Sequence, residues 1–379
     1  MPWHEVSTMS LRYEFVRLAT QEAANVRALC RHFGISPKTG YKWLQRYAAT
    51  GLRGLTDRSR CPHTHPTRTV ASVEAAVLAV RDAHPAWGGR KIAKVLDTAG
   101  LRAVPAPSTV TDILRRHGQL DPAEAGKHTP YQRFEHPTPN ALWQMDFKGH
   151  FATAAGRCHP LTVLDDHSRF AVVLQACADE QTATVQQALI AAFGRYGLPD
   201  AMLTDNGAPW GDGPGQPYTR LGVWLLRLGI RITHGRPYHP QTQGKEERFH
   251  RTLKAEVLRG RTFADLAACH QAFTAWRDVY NLHRPHEALG LQPPVSRYQV
   301  SPRPYPATLP PIDYGPDADV RRVQQCGWIH FRGGQYRVGK AFVGQPVAIQ
   351  PTDQDGQFTV YFCHQPIARL ILTGRAAKA

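Results

Sequence analysis

Apolar residues follow helical spacing in the first part of the chain, at positions 26, 29, 30 and 33. Gly34 interrupts this pattern, and the dipeptide Ser36-Pro37 supplies an N-cap and a first-turn proline for a second helix that runs to about residue 49. Two helices joined by a short turn predict a helix-turn-helix domain, which we assign to residues 1–60. Its core-facing residues would be Trp43, Leu44 and Tyr47, and the residues left to face a DNA groove are Lys38, Thr39, Lys42, Gln45 and Arg46.

A similar pattern of short amphipathic segments returns in the next stretch of the chain. Three consecutive segments between residues 72 and 118 have helical periodicity, with Ser108 as the N-cap of the last one and Gly118 as its stop. This order predicts a second helix-turn-helix domain at residues 61–118, in which Arg115 and Arg116 are candidate DNA contacts. A plain helical bundle is the alternative for either domain, because periodicity does not distinguish the two.

The pattern changes to mixed strands and helices after a Pro- and Gly-containing linker at residues 119–138. Residues 139–300 predict three strands, a helix, a strand, a helix, a strand and further helices, which is the order of a ribonuclease-H-like domain. Periodicity alone would support only a generic α/β layer fold. A Pro-rich linker at 301–317 then precedes residues 318–372, whose short alternating strands predict a small all-β barrel.

The composition indicates a polyanionic partner. The chain has a formal net charge of +16 and an isoelectric point of about 9.8, and nucleic acid is the commonest partner of such proteins. Its seven cysteines form no C-x-x-C pair, so we expect neither a disulfide framework nor a zinc ribbon. The sequence has no apolar run of about 18 residues and no signal-peptide pattern. We therefore expect a cytoplasmic protein that makes no membrane contact.

Two aspartates stand at positions suited to a metal site. Asp146 alternates with the apolar residues of a predicted strand, so its side chain would point to the opposite face of the sheet. Asp205 ends a buried strand and precedes Asn206-Gly207, at the carboxyl edge where ligands collect in open α/β sheets. The alternatives are a solvated strand residue for Asp146 and an Asx turn for Asp205.

A third acidic position lies in the segment GKEERFHRTLK, residues 244–254, which a predicted helix includes. At about 100° per residue, Glu246 projects near the apolar stripe of this helix, whereas Glu247 shares a face with Arg251 and Lys254. Glu247 is thus either half of a weak surface ion pair or a carboxylate presented beside phosphate-binding cations. As a first-turn acid, Glu246 would be stabilised by the helix dipole.

Five motifs together closely resemble the integrase cores of the DDE transposases, above all the IS481-type insertion-sequence transposases, with IS3 transposases and retroviral integrases more distant. These motifs are WQMDF, LTVLDDHSRF, LTDNG, RPYHPQTQGKEERFHRTLK and YNLHRPHEALG, and the resemblance covers about residues 1–300. It implies a metal-binding catalytic triad of Asp146, Asp205 and Glu247, because the family's glutamate stands directly before an arginine. The 42-residue interval from Asp205 to Glu247 is longer than is usual in the family, and an insert at 207–217 accounts for the excess.

The resemblance also implies a chemistry and a set of partners. Two Mg²⁺ (or Mn²⁺) ions per active site would activate water for 3′-end cleavage, and the freed 3′-hydroxyl would attack target DNA. The partners would be double-stranded DNA, as transposon ends and as target, and at least one further copy of the chain, at the bacterial nucleoid. Asp165, Asp166 and Asn206 would support the acids through hydrogen bonds without touching the metal. The candidate DNA contacts near the third acid are Tyr238, His239, Lys245, Arg248, Arg251 and Lys254.

Two other functions remain open at this point. One is a transposase-derived regulator that binds DNA without cutting it, and the other is a ribonuclease-H-like nuclease that acts on RNA–DNA hybrids. The stretch GQYRVGKA at residues 334–341 nearly spells an ATP-binding P-loop. However, Ala341 replaces the Mg²⁺-binding hydroxyl, and a strand pattern follows where a helix is required. We therefore expect no ATP binding.

Overall fold

The computed structural model describes residues 7–59, 68–120, 135–211, 217–234, 244–316 and 318–372. The chain divides into two compact units, Met1–Arg68 and Thr69–Ala379. Tyr238, His239 and residues 212–216 of the predicted insert lie outside the described residues. Within the described ranges, no helix is both long enough and apolar enough to cross a membrane.

The first unit contains three helices around a small core. They are α1 (Thr8–Ala19), α2 (Val26–His32) and α3 (Pro37–Thr50). Ser36 caps α3 through its side chain and Pro37 occupies the first turn, as the sequence predicts. Trp43 is buried and the predicted core residues Leu44 and Tyr47 pack against the same cluster. The second helix of the predicted helix-turn-helix domain is therefore α3.

A second set of three short helices opens the second unit. They are α4 (Ala71–Ala83), α5 (Gly89–Thr98) and α6 (Pro107–Arg116). Trp87, Ile92 and Ile113 are buried among them. The prediction that Ser108 caps α6 is wrong, because the N-cap is Ala106 and Pro107 occupies the first helical position. Proline has the backbone angle that a first helical residue needs, which places Ser108 one position inside the helix.

A mixed β-sheet forms the centre of the second unit. Its elements are β1 (Trp143–Phe147), β2 (Phe151–Thr153), β3 (Gly156–Asp165), β4 (Ala171–Cys177), α7 (Thr182–Tyr196), β5 (Ala201–Thr204), α8 (Arg220–Arg227), β6 (Arg231–His234), α9 (Gly244–Leu253) and α10 (Leu266–Asp278). The strand order is β2-β3-β1-β5-β6, with β4 also paired to β3. β1 runs antiparallel to β3 and parallel to β5. The first predicted strand is divided into β1 and β2, and the remaining elements follow in the predicted order.

Helices cover both faces of this sheet because the strands alternate apolar residues between the faces. Leu161 and Val163 of β3 pack in the cluster that includes α7 and α8. Leu164 packs in a second cluster with residues of α9 and α10. The even-numbered residues at this end of β3 therefore face α9. Helices α9 and α10 each continue into a π-helical turn, Lys254–Leu258 and Val279–His283 respectively.

The C-terminal part of the chain is all-β, as predicted. Its strands are β7 (Asp319–Arg322), β8 (Trp328–Phe331), β9 (Gly334–Arg337), β10 (Pro346–Pro351), β11 (Gln357–Phe362) and β12 (Gln365–Ile371). They form a four-stranded antiparallel sheet in the order β12-β11-β10-β7 and a separate β8–β9 hairpin. Within residues 318–372 as described, no strand pairing joins the sheet to the hairpin, so the predicted closure into a barrel is not confirmed.

Candidate catalytic site

Asp146 lies on β1, near the middle of the sheet. Trp143 of the same strand points into the cluster beneath α7 and α8, so the alternation of the strand turns Asp146 toward the face covered by α9. Burial, and then the charges of Asp205, Glu180 and Glu247, raise the pKa of Asp146 from 3.8 to about 7. A carboxyl with this pKa is about half protonated at neutral pH, and a nearby cation would stabilise its ionised form.

Asp205 follows directly after β5, the strand that pairs in parallel with β1. The Gly207 amide donates to its Oδ1 at 3.1 Å, and His234 at the end of β6 donates through Nδ1 to its backbone carbonyl at 2.9 Å. Burial raises the pKa of Asp205, while the Gly207 hydrogen bond and the His234 charge oppose that rise. The two aspartates thus lie at the carboxyl ends of adjacent parallel strands, the edge where ligands bind in such sheets.

Helix α9 carries its two adjacent glutamates on different faces. Glu246 is fully buried beside Phe249, whereas Glu247 is exposed, because successive helical side chains diverge by about 100°. The Glu247 charge also raises the pKa of Asp146, but less than burial and the charges of Asp205 and Glu180 do. Glu246 lies in the first turn of α9 as predicted, and burial raises its pKa well above the usual value, which favours the neutral form.

The donor chemistry of these acids suits Mg²⁺. Carboxylate oxygens are hard ligands, and the charge of Asp205 raises the pKa of Asp146, so a divalent cation bound by both would stabilise their ionised forms. Among the residues that the structure describes, no three His, Cys, Asp or Glu side chains form a group that could hold a metal ion. The assignment of Asp146, Asp205 and Glu247 as metal ligands therefore stays a prediction.

Asp165 closes the turn between β3 and β4. It is fully buried and accepts hydrogen bonds from the Asn140 amide at 2.7 Å, from the Ser168 amide at 2.8 Å and from the Ser168 hydroxyl at 2.5 Å. These contacts satisfy its carboxylate within the fold. Asn206, which directly follows Asp205 and is also predicted to support the site, is exposed.

Asp166 connects the sheet to the start of α9. Its buried carboxylate accepts hydrogen bonds from Gln144 Nε2 at 2.6 Å and from the His136 amide at 2.8 Å, and it forms an ion pair with Lys245. Lys245 is the second residue of α9, two positions before Glu247. The supporting role predicted for Asp166 is thus compatible with its contacts, and Lys245 has a structural contact in addition to its predicted role on DNA.

Cations surround Trp43 in the first unit. Arg12, Lys42 and Arg46 lie 4.0, 4.2 and 5.1 Å from the centroid of its ring. Such cation–π contacts hold the long side chains of α3 close to the helix surface. The other predicted contacts on this helix, Lys38 and Gln45, are exposed. DNA binding by these four α3 residues stays a prediction.

Some of the residues predicted to contact DNA in the second unit form ion pairs within the protein, and others are exposed. Arg115, Arg116 and Arg248 form ion pairs with Asp112, Glu74 and Glu287 respectively. Arg251 and Lys254 are exposed on the side of α9 that carries Glu247. Asp112 and Glu287 are exposed, so the ion pairs of Arg115 and Arg248 contribute little to stability and a DNA phosphate could compete for these two arginines. The Glu74 partner of Arg116 is buried. Their roles on DNA stay predictions.

Sequence reasoning missed two polar residues near the aspartates. The charge of Glu180 raises the pKa of both Asp146 and Asp205, and its Oε1 lies 2.8 Å from His159 Nδ1. Nothing in its local sequence separates Glu180 from a surface residue. The second is Thr162, a fully buried hydroxyl in the apolar strand β3. Its alternation with Leu161 and Val163 was a usable signal, because it places the hydroxyl on the face of Asp146.

Five regions of the chain match described protein families. Residues 136–240 and 228–294 match the integrase core domain, and residues 318–378 match the C-terminal domain of IS481 family transposases. Residues 11–63 match a helix-turn-helix domain and residues 39–114 a homeodomain-like domain. These matches confirm the predicted ribonuclease-H-like integrase core and the helix-turn-helix domains that precede it.

Solved structures of integrases resemble part of the chain. The crystal structure of the catalytic core domain of BIV integrase is 24% identical, with a TM-score of 0.32 over 41% of this chain and 92% of that one. The HTLV-2 integrase catalytic core domain in complex with magnesium, in its trimeric form, is 15% identical, with a TM-score of 0.34 over 43% and 99% of the two chains.

Insertion-element proteins are among the relatives by sequence. An uncharacterized 39.2 kDa protein of insertion element IS476 from Xanthomonas euvesicatoria is 31% identical over 157 residues, which are 41% of this chain and 44% of the relative. An uncharacterized 31.7 kDa protein of insertion element IS407 from Burkholderia multivorans is 30% identical over 156 residues, or 41% and 54%. The match spans about half the length of these relatives. Together with the matched domains, these relatives show that the chain is similar to IS481-type insertion-sequence transposases, and part of it is also similar to retroviral Gag-Pro-Pol polyproteins.

Proposed function

We propose that this chain is the DNA transposase of an insertion sequence, which cleaves the 3′ end of the transferred strand and joins it to target DNA. The observation that carries the proposal is the position of Asp146 and Asp205 at the carboxyl ends of adjacent parallel strands, with the pKa of each raised. Two acids that repel each other on a sheet otherwise buried by helices are unfavourable for folding. A role in binding divalent cations would explain why the two acids are present despite this cost.

Asp146, Asp205 and Glu247 are the residues that would hold Mg²⁺ or Mn²⁺, two ions in the proposed mechanism. When bound, such ions activate the attacking oxygen and stabilise the leaving oxygen of an in-line phosphoryl transfer. Glu247 is exposed on α9. This exposure fits the proposed role, because a metal ion that also contacts DNA must lie at the protein surface.

The surrounding residues orient the three acids and bind the substrate. Gly207 and His234 hold the side chain and the backbone of Asp205 in place. Arg251 and Lys254, exposed beside Glu247, would bind backbone phosphates of the strand to be cut. The helix-turn-helix domains would bind the terminal inverted repeats, and joining two transposon ends would require at least two copies of the chain.

A strand-transfer assay tests this proposal. The full chain is incubated with DNA duplexes that end in the sequences flanking its gene, in Mg²⁺ or in EDTA, and products are resolved on denaturing gels. We expect 3′-cleaved and joined products in Mg²⁺ alone, their loss in Glu247→Gln, and their retention in Glu246→Gln. Equal loss in both variants, or no product from the wild-type chain, would contradict the proposal.

The second candidate function is a regulator that binds DNA without cutting it. It is favoured by the helix-turn-helix matches and by the absence, among the described residues, of a preformed group of three metal-ligating side chains. Gel-shift measurements on the same duplexes distinguish the two functions. A regulator would bind the end sequences equally well in Mg²⁺ and EDTA, and no metal condition would give cleaved product.

A further inference from the structure

The carboxyl group of Glu246 is fully buried, one residue before the predicted metal ligand Glu247. Its Oε1 atom makes no hydrogen bond of good geometry in the part of the chain that the structure describes, although the Leu164 backbone amide lies close enough to the carboxyl to oppose the rise in its pKa. Burying a polar atom without a partner costs folding free energy. Phe249 and Leu253 of the same helix are buried apolar residues, and an apolar side chain at position 246 would avoid this cost. The presence of an acid at this position therefore points to a role other than stability.

Thr162 of β3 connects Glu246 to the strand that carries Asp146. Its Oγ1 lies 2.9 Å from the backbone carbonyl oxygen of Asp146, 3.0 Å from Glu246 Oε2 and 2.8 Å from His250 Nε2. The hydroxyl has one proton, which it can donate to the Asp146 carbonyl or to Glu246 Oε2, and it can accept a hydrogen bond from His250 Nε2. We call these contacts the Thr162 bridge. Thr162 also lies directly opposite Asp146 in the β1–β3 ladder.

The Thr162 bridge fixes the rotation of α9 against the sheet. Glu246 and His250 are one helical turn apart, and both contact the same hydroxyl on β3. Apolar contacts such as that of Phe249 are not directional and tolerate small rotations of a helix, whereas hydrogen bonds depend on direction. Since successive side chains diverge by about 100°, a helix held with Glu246 inward must present Glu247 in one direction.

We propose that Glu246 and Thr162 are positioning residues, which hold Glu247 at a fixed direction and distance from Asp146 so that the two can share a divalent cation. The inference rests on the proposed function, because it assigns Glu247 to the metal site. It adds that the neighbouring glutamate acts through Thr162 and the Asp146 backbone, without contact with DNA or metal.

Four substitutions test the bridge in the full-length chain. Glu246→Leu and Thr162→Val remove it at similar side-chain volume, whereas Glu246→Gln and Thr162→Ser keep groups that can form it. We expect the first pair to weaken Mn²⁺ binding, measured by titration calorimetry, and to lower kcat for strand cleavage, each by about tenfold, with KM for DNA unchanged. We expect Glu246→Gln and Thr162→Ser to stay within about threefold of wild type in both.

Thermal unfolding without metal separates positioning from a structural role. Glu246→Leu should be at least as stable as wild type, because it removes the unpartnered buried oxygen. Thr252→Val is the matched control, since the Thr252 hydroxyl on the same helix donates to the Arg248 carbonyl of that helix and, among the described residues, to no atom of the sheet. This control should change neither Mn²⁺ binding nor kcat.

Four outcomes would overturn the proposal. If Glu246→Leu binds Mn²⁺ and cleaves DNA like wild type, the bridge does not position Glu247. If Glu246→Leu unfolds at a lower temperature and Glu246→Gln does not restore kcat, the role of Glu246 is structural. If the wild-type chain binds no Mn²⁺, both the proposed function and the positioning role are wrong. If all variants bind Mn²⁺ with the same affinity as wild type, only the positioning role is wrong.

Discussion

The substitution Asp146→Asn tests the electrostatic cost of the candidate catalytic site. Burial, and next the Asp205 charge, raise the pKa of Asp146 from 3.8 to about 7. When the pKa of a group is higher in the folded state, the stability that the group contributes is fully present below its unfolded pKa and is lost as the pH rises through the folded pKa. At about 1.4 kcal/mol per pH unit, the loss reaches at most about 4 kcal/mol above pH 7. Asp146 keeps some exposure to solvent, so we expect Asp146→Asn to gain roughly 2–4 kcal/mol at pH 8.

Scanning calorimetry in EDTA at pH 4 and pH 8 measures this effect. The gain should be present at pH 8 and nearly absent at pH 4, where the wild-type carboxyl is protonated in the folded state. Asp179→Asn is the control, because Asp179 is exposed and hydrogen bonds from Thr184 and Gln181 lower its pKa. That substitution should stabilise the protein at neither pH.

Addition of Mg²⁺ at pH 8 extends the test to the metal site. Mg²⁺ should raise the unfolding temperature of the wild-type chain and leave that of Asp146→Asn unchanged, because a ligand stabilises only the folded state that binds it. Two results would contradict this reasoning: Asp146→Asn is no more stable than wild type at pH 8 in EDTA, or it is stabilised by the same amount at pH 4 as at pH 8. Either result would mean that the pKa of Asp146 is not raised and that Asp146 and Asp205 do not repel each other.

Three further predictions concern stability elsewhere in the second unit. Burial lowers the pKa of His286 to about 3, so the wild-type protein should lose stability as the pH falls from about 6.5 to 3, and His286→Gln should flatten that dependence in a calorimetric pH series. Lys245→Met leaves the Asp166 carboxylate buried without its cation and should cost about 3 kcal/mol in urea unfolding, partly restored by adding Asp166→Asn. Gly89→Ala places a Cβ atom 2.3 Å from the Pro107 carbonyl oxygen and should cost roughly 2 kcal/mol. Gly88→Ala meets no atom within 4 Å and should be near neutral by the same measurement.

The order of elements was predictable from the sequence because it depends on local patterns. Ser36 and Pro37 start α3 as predicted, since capping involves residues within one turn. The different faces of Glu246 and Glu247 follow from helical periodicity alone. The alternation of β1 likewise predicted that Asp146 points away from Trp143.

The contacts that complete the candidate site were not predictable in this way. The Thr162 bridge joins residues 84 positions apart, and it depends on the β1–β3 register, which no local pattern fixes. For the same reason, the depth at which Glu246 is buried was not anticipated. The barrel expected at residues 318–372, which is not confirmed, depends on another long-range property, because alternating strands specify faces and do not specify whether a sheet closes.

The contacts of Asp166 have a consequence for the order in which parts of the chain fold during synthesis. Its carboxylate accepts hydrogen bonds from His136, 30 positions before it, from Gln144, 22 positions before it, and from Lys245, 79 positions after it. During synthesis, the sheet around Asp166 can therefore form while its only lysine partner among the described residues, Lys245, is still missing. Contacts of such long sequence separation form late in folding. In a nascent chain the Asp166 side chain should consequently lack this lysine partner until α9 docks, and the same docking places Glu247 on the face of the sheet that carries Asp146.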